Sequence, residues 1–198
     1  YHDMIRRLLW LSALFATPLI VLSKDLLALW IGPDFAVNSW FVLSILAASI
    51  IWRSTGSVAY QICNGMGRAD INLMASIATA VLMTVPICIL APARGARGVA
   101  MGAFIGLLTQ NMLFDLYTQR KLLGVKAWGE SLSAYARIIA ASAAAVLAYE
   151  LIPLPLGGWA GLFVKACLIE CLYFGSSLMT GALSAKDVRF VTNKIKRM

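Results

Sequence analysis

Apolar residues in this chain come in long unbroken runs separated by short polar breaks, and that pattern leaves few folds open. The runs cover about 8–23, 40–63, 71–93, 99–117, 135–152 and 159–183. A helix needs roughly 20 apolar residues to cross the hydrocarbon core of a bilayer. Only helices and closed barrels satisfy their backbone groups in lipid, and runs without period-two alternation exclude a barrel. The chain therefore reads as an all-α integral membrane protein, a bundle of about six transmembrane helices followed by a basic tail at 184–198. Its 13% charged residues are about half the share of a soluble domain, and 61% of the chain is hydrophobic.

The formal charge of +8 does not mark a nucleic-acid binder. The basic residues sit at the ends of apolar runs and make no basic face. With the N-terminus inside and the spans alternating, the inner segments carry Arg6, Arg7, Arg68, Arg120, Lys121, Lys126 and Arg137. They also carry the tail residues Lys186, Arg189, Lys194, Lys196 and Arg197, whereas the outer loops hold Lys24, Arg94 and Arg97. The positive-inside rule then places both termini in the cytoplasm. Trp30, Trp40 and Trp159 fall near the outer interface, as aromatic belts do.

Punctuation between the runs is specific. Leu26 to Ile31 reads as a short amphipathic extension ended by Gly32-Pro33, and Asn64-Gly65-Met66-Gly67-Arg68 as a turn. Pro86 is expected to kink the third span, and Pro153-Leu154-Pro155 to stop the fifth. Gly98, Gly102 and Gly106 recur every fourth residue and form a stripe on which another helix can pack closely; Gly157 and Gly161 repeat it weakly. Cys63, Cys88, Cys167 and Cys171 lie in or beside apolar helices and read as buried free thiols.

Charges inside a span are costly and ask for a reason. Arg53 lies well inside the second run, and helical spacing puts Ser49, Arg53, Gly56, Ser57, Tyr60 and Asn64 on one face. Two readings stay open: the wall of a hydrated cavity, or a structural arginine paired with a carboxylate or backbone carbonyls. Glu170, in the sixth span, is either an ion-pair partner of Arg53 or Lys165 or a proton carrier; Lys165 otherwise snorkels toward headgroups. Asp115, with Asn111 and Thr118 on its face, reads as an interface residue near Arg120 and Lys121. No metal-ligand cluster, phosphate-cradling loop or paired nucleophile and base is visible, His2 being the only histidine. Nothing in the sequence calls for a cofactor or for enzyme chemistry.

Three segments carry a family resemblance: Leu-Leu-Ala-Leu-Trp-Ile-Gly-Pro-Asp-Phe at 26–35, Asn-Gly-Met-Gly-Arg at 64–68, and Gly-Ala-Arg-Gly-Val-Ala-Met-Gly at 95–102. In order and spacing they resemble the polysaccharide flippases of the multidrug/oligosaccharidyl-lipid/polysaccharide exporter superfamily, which include the O-antigen and exopolysaccharide repeat-unit translocases. The resemblance covers about 1–125 by motif and the last two spans by hydropathy. It implies the second lobe of a two-lobe transporter of 12–14 helices in the bacterial inner membrane. Its substrate would be a lipid-diphosphate-linked oligosaccharide moved by alternating access. Arg53 would meet the diphosphate, with Ser49, Ser57 and Tyr60 meeting sugar hydroxyls, while the N-terminal lobe of the same protein lies outside this sequence. The sequence, which starts at Tyr1 with no signal peptide before its first run, fits a C-terminal portion or a truncated product. A multidrug or cation antiporter of the same superfamily would use acidic cavity residues instead; a truncated, non-transporting membrane scaffold is the third reading.

Overall fold

A computed structural model describes residues 2–122, 124, 128–152 and 157–182. The expected tail at 184–198, Lys126 and the Pro153–Pro155 stop lie outside the described residues. The elements are α1 (His2–Val21), α2 (Ser23–Trp30), α3 (Pro33–Gly65), α4 (Ala69–Tyr117), a π-helical turn (Thr118–Leu122), α5 (Trp128–Glu150) and α6 (Gly158–Met179). Five helices are long and apolar enough to cross a membrane. The chain is an all-α membrane bundle.

The longest element, α4, is two arms. Gly95 takes φ 56° and ψ −138°, a conformation open to glycine and costly for residues with a Cβ, and there the helix folds back on itself. The arms 69–94 and 96–117 pack antiparallel, so this element supplies two of six crossing segments. The glycine stripe lies in their seam. A Cβ on Gly98 would strike the Leu90 carbonyl, one on Gly106 the Leu82 carbonyl, and one on Gly102 would lie 2.6 Å from the Ile87 nitrogen. The close neighbour of the fourth span is thus the third, backbone against backbone. Gly157, by contrast, has nothing within reach of an added Cβ.

Boundaries differ from the hydropathy reading mainly at helix starts. Pro33 is the first residue of α3, where its missing N–H costs no bond, so the 33-residue helix begins well before 40. At about 1.5 Å per residue it is roughly 50 Å long, more than the hydrocarbon core requires. Likewise α5 starts at Trp128 rather than 135. Within 94–98, expected as a loop, only Gly95 leaves helical geometry, and α4 turns back there; Pro86 lies inside the first arm with helical φ/ψ.

Packing divides the molecule into a bundle and a hairpin leaning on it. Ile5, Leu9 and Ala13 of α1 meet Val58 of α3, Tyr135, Ile138 and Ala141 of α5, and Tyr173 of α6 in the main core. A smaller cluster of Ala59, Cys63, Ile71 and Phe114 holds α4 against α3. Asn72 pins the turn between them, donating from Nδ2 to the Tyr60 carbonyl at 3.1 Å and to Asn64 Oδ1 at 2.7 Å.

The outer surface is apolar. Met74, Ile77, Val81, Val85 and Ile89 form an exposed stripe along the first arm of α4, and Phe15, Phe163 and Met179 are exposed elsewhere. Lipid as the solvent explains why such residues face outward. It also corrects the reading of the thiols: Cys63 is buried, but Cys88, Cys167 and Cys171 are exposed. In a soluble protein an apolar helix hides its cysteines; on a lipid-facing helix they sit outside at no cost.

The orientation expected from the basic-residue asymmetry, with both termini inside, can be tested directly. Single cysteines placed at Gly32 and Gly157, in a cysteine-free background, should react with a membrane-impermeant maleimide from outside. Cysteines at Gly67 and Gly124 should react only after permeabilisation. Labelling of either pair on the opposite side would rule out the six-crossing arrangement.

Candidate functional site

On the side where α4 leans on α3, the two leave a cavity of about 320 Å³. From α3 come Arg53, Gly56, Ser57, Tyr60 and Gln61; from the α4 arms come Ser76, Thr79, Gln110, Asn111 and the apolar Met83, Leu107 and Phe114. Helical spacing on α3 brings Arg53, Ser57 and Tyr60 to the same wall. Ser49 is one turn farther, buried, with its hydroxyl bonded to the Leu46 carbonyl at 2.6 Å; it is not part of the lining. The cavity ends at the level of Arg53, Met83 and Leu107, so a residue a turn beyond has no access.

The lining holds one charge. Arg53 is exposed, and among the described residues no carboxylate joins the cavity wall. Its distance along α3 from the turn at Gly65 is about 18 Å at 1.5 Å per residue, which sets it deep in the span. An exposed cation at that depth requires water or protein around it.

The neutral groups divide by hydrogen-bonding role. Ser57, Ser76 and Thr79 donate their hydroxyl protons to carbonyls of their own helices, Ser54 at 2.6 Å, Asn72 at 2.9 Å and Ala75 at 2.7 Å. Their oxygens remain as acceptors. Gln110 and Asn111 are 9% and 8% exposed and, among the described residues, make no side-chain hydrogen bond. Both line the cavity, so their carboxamides are open to water or to a polar ligand there. Arg53 and the carboxamides supply donors and the hydroxyls supply acceptors, a set suited to an oxygen-rich anionic ligand.

Gly56 leaves room for the Asn111 side chain of α4. A Cβ there would collide with Asn111 Oδ1, a mobile side-chain end and not backbone. Gly56→Ala should therefore leave expression and thermal stability near wild type, within about 1 kcal/mol, while displacing the Asn111 carboxamide. A stability loss as large as that of a core truncation would show that the contact is rigid packing.

The ion pairs foreseen for Glu170 do not form. Lys165 instead bonds Asp25 of α2, Nζ to Oδ2, at 2.9 Å. Residues five apart lie about 140° apart around a helix, so Lys165 and Glu170 point different ways. Among the described residues no ion pair joins Arg53 to Glu170. Arg53 opens toward α4, and α6 packs on α1, α2 and α5. Asp115, read as an interface residue near Arg120 and Lys121, lies at that end of α4 but is turned into the protein: it is 2% exposed, beside buried Thr118 and Gln119 where α4 becomes π-helical. Tyr135 of α5 packs on α3, its ring stacked on Trp52 at 4.6 Å and its hydroxyl donating to Thr55 Oγ1 at 2.7 Å.

Fold and site together define a multi-pass α-helical membrane protein with a polar, singly cationic cavity inside its span. No family model, curated protein or solved structure matches the chain.

Proposed function

We propose that this chain is the second lobe of a bacterial inner-membrane transporter that moves a lipid-diphosphate-linked oligosaccharide across the bilayer. Both termini are cytoplasmic, and a preceding lobe of the same protein completes the transport path. The observation that carries the reading is Arg53: one exposed guanidinium, deep in the span, opening onto carboxamides without partners and acceptor hydroxyls. Diphosphate needs permanent positive charge in a fork of donors, and sugars need mixed donors and acceptors. Ser57 and Tyr60 keep the sugar-facing role in this reading, Gln61, Gln110 and Asn111 join them, and Ser49 does not.

A cation or drug antiporter is the competing class. It would need a carboxylate in the cavity to bind its substrate or carry its proton, and the described lining has none. A scaffold without transport would have no use for an exposed cation at this depth. Surface polysaccharide should fall to background in cells whose full-length protein carries Arg53→Ala at matched expression. Wild-type levels in that strain would end the proposal.

A further inference from the structure

A second hollow, of about 580 Å³, lies along the α4 hairpin. Its body is apolar, built from Met74, Ala78 and Leu82 of the first arm and Leu113 of the second. Its charged members are confined to the end at the α3–α4 turn, where Arg68 and Asp70 hold each other at 3.1 Å and so bring no free charge into the groove. Ala75, Gln110 and Phe114 line both this groove and the Arg53 cavity. The two spaces therefore stand side by side with a shared wall, the Arg53 cavity lined mostly by hydrogen-bonding groups and the groove mostly by apolar side chains, its polar members being the shared Gln110, Tyr117 and the Arg68–Asp70 pair.

We propose that the groove holds the lipid tail of the same molecule whose diphosphate head meets Arg53, the chain passing over Phe114. This rests on the reading of the Arg53 cavity as a head site. Any groove on a membrane protein meets acyl chains; the shared wall is what singles this one out. A ligand lying in both spaces has a charged, oxygen-rich head and a long apolar chain leaving it directly, which is the build of a lipid-linked sugar diphosphate. The groove's size falls within the range of about 300–1,000 Å³ of small-ligand pockets.

Binding to the purified full-length protein in lipid nanodiscs tests this with three probes: farnesyl diphosphate, inorganic pyrophosphate and farnesol. Farnesyl diphosphate should bind at least about tenfold more tightly than pyrophosphate, because only it buries a chain. Ala78→Trp, which fills the groove, should abolish that advantage and leave pyrophosphate binding unchanged, whereas Arg53→Ala should weaken both diphosphates. Met74→Trp, at a position already 69% exposed, serves as a second block that needs no repacking. If both tryptophan variants keep the full advantage, the groove is not the tail site, and the head site still stands. If the wild type binds neither diphosphate, head and tail assignments fall together. Farnesol binding that is blocked by Ala78→Trp in such a protein would mark a groove for bulk lipid, which also overturns the proposal.

Discussion

Arg53→Lys should fail almost as completely as Arg53→Ala. Lysine keeps a positive charge but offers a compact ammonium in place of a planar fork. Each charge-assisted hydrogen bond is worth about 1.5–3 kcal/mol, so losing one arm of a bidentate grip costs roughly ten- to a hundredfold in binding. The measurement is surface polysaccharide at matched expression, with detergent thermal stability to show that each variant folds. Near-normal export by Arg53→Lys would mean that charge alone matters and that the geometry of the fork does not. Glu170→Ala should not rescue Arg53→Ala, because Glu170 lies on a helix that packs away from the cavity. Rescue would restore the reading of Arg53 as half of a structural ion pair.

Arg53 could be found from the sequence because a charge inside an apolar run stands out at once, and helical periodicity then gives its neighbours Ser57 and Tyr60. The other half of the cavity was harder to see. Ser76, Thr79, Gln110 and Asn111 are ordinary polar residues in apolar spans, and nothing local marks them as facing Arg53. The signal lay in the glycine stripe. Gly98, Gly102 and Gly106 face Leu90, Ile87 and Leu82, so each step of four along one arm retreats about four along the other. Continued by one more step, that register sets Gln110 against Ala78, next to Thr79, and by another, Phe114 against Met74, next to Ala75; Gln110, Thr79, Phe114 and Ala75 are all cavity residues. Reading the stripe as a hairpin seam would have exposed the site; reading it as a surface for an unspecified helix did not. The lysine pairing failed for a different reason. Asp25 comes from α2, a short helix whose docking against α6 depends on tertiary packing and leaves no periodic trace in the sequence.

Gly102→Leu combined with Gly106→Leu should be the most destabilising change in the described structure outside the main core. At both positions the obstacle is backbone: the Ile87 nitrogen and Cα at 2.6 and 2.8 Å from a Cβ on Gly102, and the Leu82 carbonyl and Met83 Cα beside one on Gly106. A side-chain end can rotate away, but a helix backbone can yield only by moving the whole arm. Overpacking typically costs about 1–3 kcal/mol per site and more where backbone must shift. The two sites are one helical turn apart on a shared seam, so their costs will couple, the first substitution having already opened the space the second needs. For a chain of this length each kcal/mol lowers the melting temperature by roughly 2–4 °C, so the pair should lose about 10 °C in detergent. Separating the arms also pulls Gln110 and Phe114 away from Thr79 and Ala75, so the cavity and the groove should be lost together. Gly175→Leu is the control: it places the same side chain on a helix where an added Cβ meets nothing within 4 Å. It should leave the melting temperature unchanged or slightly raised, since leucine is a better helix former than glycine. Equal losses from the pair and the control would trace the effect to leucine in a membrane helix in general and not to the seam.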